Sequence, residues 1–258
     1  MVEQLRAAAG EPVEQALAAL AAALARPGPG ESARVRVLDV GGGSGTRAVP
    51  LALRGCEVTV IDSSANSLAI LHRRAEDAGV GDRVVGIQAD ADRLDTVTGA
   101  GSVDLVLCHH LLEEVDDPEV VLAGVVRAVR PGGAVSVLAV GRIGAVLSQA
   151  LVGRFEQARH VLDGADGRTG EADPLRRRLD VDQLRTLLQT AGLTVESVTG
   201  VGVLTGLLSG AARQAAPGGE ADLADLEAAA AVHPELLRIA SDLHVVARRP
   251  GAEGPAVG

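Results

Sequence analysis

The chain has 258 residues, with 24 basic and 34 acidic side chains and a net charge of −10. Hydrophobic residues make up 47% of it, enough for a substantial core, yet Phe155 is the only aromatic ring besides the histidines, so base-stacking platforms and aromatic cages are disfavoured. The acidic balance argues against a nucleic-acid surface, no apolar run approaches membrane-span length, and two cysteines are too few for a disulfide framework or a Cys-based zinc site. A soluble, cytoplasmic protein without a metal is expected.

Residues 1–26 read as one amphipathic, Ala-rich helix, with Pro12 tolerated near its start and Pro27-Gly28-Pro29-Gly30 ending it. Two roles fit this helix, a lid over a ligand or an interaction element. From Val35 short apolar runs alternate with helical stretches. Strands are predicted at Val35–Val40, Glu57–Ile61, Arg83–Gln88, Val103–Leu107 and Ala134–Val140. A helix over Ala65–Ala78 has Ser63 and Ser64 as candidate N-caps and Gly79 as its stop. This alternation predicts βαβ units and a parallel sheet covered on both faces. Beyond Val140 the pattern gives an insertion over 141–174 with a helix around Ala145–Leu162, then a helix at Val181–Ala191 capped by Asp180. A strand at Thr194–Leu204, a helix at Ala221–Val232 and a final strand at Leu243–Arg248 follow. The expected organisation is an N-terminal helix and linker over 1–30, one domain over 31–249 and a disordered tail over 250–258.

The most informative stretch is Leu38-Asp39-Val40-Gly41-Gly42-Gly43-Ser44-Gly45-Thr46, between a buried strand and a helix. Glycines there allow a sharp turn and close approach of a ligand to the free N–H groups of the helix start. The next strand ends in Asp62, placed to accept hydrogen bonds from two ribose hydroxyls. Strand, glycine loop, helix, strand and acid together read as a nucleoside-binding unit. Gly43-Ser44-Gly45-Thr46-Arg47-Ala48 also fits the dinucleotide fingerprint, which keeps an NAD-dependent oxidoreductase as a rival. Against it, Asp39 sits where dinucleotide folds usually carry an apolar residue. Pro131-Gly132-Gly133 punctuates the entry to the fifth strand, and the strand–helices–strand ending suits an antiparallel hairpin closing the sheet.

These residues resemble the class I S-adenosylmethionine-dependent methyltransferases, over about Val35 to Arg249. The resemblance implies a doubly wound, seven-stranded α/β sheet of order 3-2-1-4-5-7-6 and S-adenosyl-L-methionine as cofactor. It puts Asp39, Gly41, Gly43 and Gly45 around the methionine part, Asp62 with Ser63 at the ribose, and Asp90 with Ala91 beside the adenine. A closer likeness, to the bacterial tRNA 5-carboxymethoxyuridine methyltransferases, runs through Asp104–Val115, Arg154-Phe155, Leu223–Pro234 and Leu243–Arg248. It implies that His109 lies beside the cofactor at the end of the fourth strand, as the candidate acid–base group.

The substrate half departs from that pattern. Glu14 stands where an arginine reaches the cofactor, and Gly202, Leu204 and Gly206 replace an arginine, an aromatic and an acid. Alanines around Ala228–Ala231 replace an arginine and a tyrosine, and only Arg168 and Arg176-Arg177-Arg178 remain of a lysine-rich loop. The expected function is methyl transfer to a small-molecule acceptor, with oxygen slightly preferred as nucleophile and nucleic acid disfavoured. Esterification of a tRNA carboxylate and a non-catalytic binding protein on the same fold are the alternatives. Cys108 is expected to point into the core and His110 to start the following helix. The arginine triplet reads as a solvated face, and Glu113, Glu114, Asp116 and Asp117 as surface and helix-start charges.

Overall fold

Runs of Val and Leu flanked by glycine turns build the framework, described by a computed structural model for residues 10–25, 34–208 and 219–251. Glu3, the linker Pro27–Gly30, the Gly/Ala/Pro-rich stretch before residue 219 and most of the tail lie outside the described residues. Helix α1 (Gly10–Leu24) is followed by β1 (Arg36–Val40), α2 (Ala48–Leu53), β2 (Glu57–Asp62), α3 (Ala65–Asp77) and β3 (Val84–Gln88). A 3-10 turn at Ala91–Arg93 leads to α4 (Leu94–Val97), β4 (Val103–His109), α5 (Pro118–Ala128) and β5 (Val129–Val140). The rest comprises α6 (Arg142–Leu151), α7 (Phe155–Asp163), α8 (Val181–Thr190), β6 (Thr194–Val201), α9 (Gly219–Val232) and β7 (Asp242–Arg248).

The strands form one seven-stranded sheet in the order β3-β2-β1-β4-β5-β7-β6, as the resemblance implies. The first five pair in parallel, with Val40 opposite both Ile61 and Cys108, and β7 inserts antiparallel between β5 and β6. Side chains alternate between two buried layers. Leu38, Val40, Val106 and Cys108 pack with Leu122 and Val125 of α5 and with Leu184 and Leu188 of α8. Val37, Val58, Leu105 and Leu107 pack on the opposite side with Leu17 of α1, Leu51 of α2 and Leu71 of α3.

Helix α1 buries Val13, Leu17, Ala21 and Leu24, a spacing that keeps one face on the sheet. Its described part is thus a piece of the second layer. Glu14 on it pairs with Arg54 at 3.4 Å, just past the C-terminal end of α2 and so at the edge where the parallel strands begin. That is the edge remote from the glycine loop, so Glu14 does not occupy a position facing a ligand there. The helix expected around Ala145–Leu162 is two helices, broken at Gly153, whose φ of +77° no helix accommodates. The sixth strand stops at Val201 rather than Leu204, because Gly202 turns at φ +67° and Glu227 of α9 then accepts the N–H groups of Val203, Leu204 and Thr205. Gly206 is packed so closely on Ser241 Oγ that no side chain fits there.

Candidate functional site

The parallel strands all end at one edge, and the chain reverses direction across the sheet between β1 and β4. Open α/β sheets bind ligands at such a switch point. Here Val40 is followed by Gly41, Gly43 and Gly45, with φ of +71°, +55° and +78°. The loop is tight as well as left-handed. A Cβ at Gly42 would sit 2.5 Å from the Asp39 carboxyl, and one at Gly45 would collide with Leu71 Cδ1. Arg74 of α3 fixes the outer side of the loop by donating to the Ser44 carbonyl and hydroxyl at 3.3 and 3.1 Å.

Asp62 ends β2 facing this loop. Its Oδ2 accepts the Gly43 N–H at 2.9 Å and its Oδ1 the Ser64 N–H at 2.8 Å, so the carboxylate orientation is set by backbone on both sides. Two lone-pair directions remain for ligand hydroxyls. Ser64, rather than Ser63, caps α3, accepting from Ser67 N–H at 3.2 Å, which leaves Ser63 on the cavity wall. Asp39 lies beneath the loop, 2% exposed, with Oδ2 unpartnered. Burial, opposed by Arg47 and reinforced by Asp62, pushes its carboxyl up from 3.8 to about 7.

A cavity of about 580 Å3 opens between these elements, within the range of small-molecule sites. Gly41, Asp62, Ser63, Asp90 and Ala91 line one side, and His110, Leu111, Glu114 and Val115 of the loop after β4 line the other. Six carboxylates border it: Asp62, Asp90, Asp92, Glu114, Asp116 and Asp117. A cavity of this sign favours a ligand carrying positive charge. Among the described residues no cluster of His, Cys, Asp and Glu is arranged to hold a metal ion.

His109 is placed differently from its neighbour. It shares the α1–α3 face of the sheet with His244 on β7 and Ser136 on β5: both histidines lie opposite Leu138, and Ser136 stands two residues before Leu138 on the same face. Its Nε2 is 2.9 Å from Ser136 Oγ, which is 2.8 Å from His244 Nε2. Burial, then the adjacent His244 and Arg47, hold His109 well below the ordinary imidazole range, and burial brings His244 down from 6.5 to about 4. His110 lines the cavity, while His109 is part-exposed at the end of β4.

Three readings of the loop after β4 change. His110 does not start a helix but stands at φ +53° in the left-handed region. Glu113 is not a surface charge: it is 1% exposed and its Oε1 lies 3.0 Å from His110 Nδ1 while accepting the Val140 N–H at 3.2 Å. The arginine triplet is only in part a solvated face, with Arg176 exposed. Arg177 donates to the carbonyls of Leu112, Val115 and Asp116 at 2.7, 2.6 and 2.8 Å, and Arg178 pairs with the fully buried side chain of Asp173. Asp117 does cap α5, accepting from Glu119 and Val120 N–H. Cys108 is buried, its thiol pushed up to about 12 by burial and by Asp39 and Glu113, and is chemically quiet. Sequence reasoning missed His110, Leu111 and Val115 as wall residues. The available signal was their place immediately beyond the fourth strand, at the same edge as the glycine loop.

Residues 38–137 match the family model described as a methyltransferase domain. The chain is 34% identical over 184 residues to the tRNA 5-carboxymethoxyuridine methyltransferase of Escherichia coli strain K12, covering 70% of this chain and 66%, just under two thirds, of that protein. It is 33% identical over 169 residues to the ubiquinone biosynthesis O-methyltransferase of Chromobacterium violaceum, covering 65% of this chain and 68% of the other. Among solved structures, a S-adenosylmethionine-dependent methyltransferase from Mesorhizobium loti superposes with a TM-score of 0.59 at 21% identity, covering 95% of this chain and all of that one. The cyclase SpnF superposes with a TM-score of 0.56 at 24% identity over 84% of this chain and 76% of its own, so the fold by itself does not specify the reaction. With the strand order, the glycine loop and these relatives in agreement, the chain belongs to the class I S-adenosylmethionine-dependent methyltransferases, enzymes whose cofactor is S-adenosyl-L-methionine.

Proposed function

We propose that this chain transfers the methyl group of S-adenosylmethionine to an oxygen of a small-molecule acceptor. The observation that carries the reading is the acidic cavity between the glycine loop and the loop after β4. The cofactor, when bound, supplies an electrophilic methyl group on a sulfonium and carries its own reactivity. The chain's residues fit it. Asp62, already oriented by Gly43 and Ser64, accepts from the ribose hydroxyls, with Ser63 beside it. Asp90 and Ala91 border the adenine. Gly41, Gly43 and Gly45 bring backbone close to the methionine part, and the buried, unpartnered Asp39 Oδ2 lies under the same loop. The carboxylates around the cavity complement the sulfonium and the ammonium group together.

The tRNA relative favours a second acceptor class, a carboxylate on RNA. Two observations speak against it for this chain: the net charge of −10, and the engagement of Arg177 and Arg178 in internal bonds instead of a phosphate-binding surface. Calorimetric titration with S-adenosylhomocysteine, with NADH as control, tests the cofactor half; micromolar affinity for the first alone is expected. Incubation with radiolabelled S-adenosylmethionine and panels of phenols, small carboxylates and bulk tRNA tests the acceptor. Label on a phenol or small carboxylate supports the proposal and label on tRNA reverses it. Cofactor binding without label transfer to any class favours the non-catalytic reading.

A further inference from the structure

The loop after β4 contains a pairing that the position of His109 does not account for. His110 lines the cavity with its side chain 32% exposed, whereas its partner Glu113 has a side chain only 1% exposed. Glu113 is held through both its side chain and its backbone. Its Oε1 accepts from Val140 N–H and lies 3.0 Å from His110 Nδ1, and its backbone carbonyl accepts the Arg176 N–H at 2.9 Å. The second oxygen, Oε2, is buried with no hydrogen-bond partner. A desolvated carboxylate with an unused oxygen is a costly feature to retain, and an adjacent imidazole offsets that cost only while it donates to it. The backbone of His110 is fixed too. Its N–H donates to the Leu138 carbonyl at 2.7 Å, and its φ of +53° lies in the left-handed region that few non-glycine residues adopt.

We propose that His110, oriented by Glu113, takes the proton of the acceptor hydroxyl, which makes it the catalytic residue and Glu113 its positioning residue; this rests on the oxygen-methylation reading above. With Nδ1–H committed to Glu113, the basic lone pair of the ring is the one on Nε2. The acceptor oxygen forms its bond to the methyl carbon as the carbon–sulfur bond breaks with its electron pair going to sulfur. The hydroxyl proton passes to Nε2, and Glu113 stabilises the resulting imidazolium in the way the third member of a catalytic triad does. His109 makes a different contact, its Nε2 lying 2.9 Å from Ser136 Oγ. Among the described residues, Glu114 and Asp116 on its own loop, Asp62 and Asp90 on the cavity wall and the titratable ring of His109 on β4 also bear on His110.

The test is nuclear magnetic resonance of the full chain labelled with nitrogen-15 and carbon-13 histidine, with His109→Gln and His110→Gln used for assignment. At pH 8 the parent chain is expected to hold His110 in the Nδ1–H tautomer; an Nε2–H tautomer overturns the proposal without any further variant. Glu113→Gln is expected to lower the His110 pKa by about one unit or more, as loss of an adjacent carboxylate should, and Glu113→Asp to recover at least part of that shift. An unchanged His110 titration in a folded Glu113→Gln protein overturns the dyad. S-adenosylhomocysteine is expected to shift the His110 ring signals more than those of His109. Failure of S-adenosylhomocysteine to bind at all sinks the cofactor reading instead, whereas binding that leaves His110 untouched sinks only the dyad.

Discussion

At the scale of single residues, Asp62 is the group on which cofactor affinity should depend most. Its two backbone contacts fix the carboxylate, so replacing it with Asn keeps the size and removes the charge. Asp62→Asn is expected to weaken S-adenosylhomocysteine binding at least tenfold, about 1.4 kcal/mol, in calorimetric titration. Equal affinities would remove Asp62 from the ribose. Asp39 makes a different statement, about stability. Its carboxyl titrates near 7 in the fold against 3.8 when exposed, so the unfolded chain releases a proton that the folded one keeps. That contribution to stability is present at pH below about 4 and is lost as pH rises to about 7. In the cofactor-free protein, the melting temperature of Asp39→Asn relative to the parent is therefore expected to climb between pH 4 and 7 and to level above that. A gap that does not vary with pH would mean that Asp39 ionises normally. His244 acts in the opposite sense: held near 4 against 6.5, it makes the fold lose stability as pH falls from about 6.5 to about 4. Asp39, Asp62 and the glycines were legible as a constellation because their chemistry follows from type and spacing. The different settings of the two histidines were not. His109 and His110 are adjacent in sequence and equal in type, and only strand register with a left-handed turn separates a ring tied to Ser136 from one on the cavity wall.

At the scale of elements, the segment after the insertion braces the wall of the site. Arg177 alone donates to three carbonyls of the loop between β4 and α5. Arg177→Met keeps the aliphatic stem and removes those donors. It is expected to lower the melting temperature and to weaken S-adenosylhomocysteine binding severalfold, although Arg177 is remote from the glycine loop; unchanged affinity would show that this wall does not depend on the brace. Helix α1 gives the complementary case. Leu17 is 1% exposed against the sheet, so Leu17→Ala is expected to cost about 2–5 kcal/mol in urea unfolding. A loss below about 1 kcal/mol would return α1 to the role of a movable cover. The apolar spacing of α1 was readable from sequence, but not its docking face, since a lid and a core helix share the same amphipathic pattern. The arginine triplet was misread for a related reason. Composition assigns Arg to the surface, and only the folded path of residues 163–178 shows three carbonyls converging on one guanidinium.

At the scale of the whole molecule, strand order and layer architecture were the most legible features, because alternation of apolar runs with capped helices leaves few topologies open. The charge of the site depends on how distant segments meet: Asp62, Asp90 and Glu114 come from three separate strand ends. Their joint field gives an expectation independent of any acceptor. The affinity advantage of the positively charged S-adenosylmethionine over the neutral thioether of S-adenosylhomocysteine should shrink as sodium chloride is raised from about 0.05 to 0.5 M, because salt screens the carboxylates that sense the sulfonium. A ratio that does not change with salt would mean that these carboxylates are not felt at the sulfur.

The position of β7 constrains how the protein is made. Among the described residues, the strand that comes last in the sequence fills a gap in the interior of the sheet, and β6 pairs with no other strand. A ribosome emitting this chain therefore releases β1 to β5 and the cofactor loop long before β5 and β6 acquire the strand that joins them. Until Asp242–Arg248 leaves the exit tunnel, the nascent protein carries two unpaired strand edges and lacks the imidazole that completes the contact with Ser136. A premature stop before β7 should yield a species that chaperones bind and that aggregates, even though every cavity residue named above has already been synthesised.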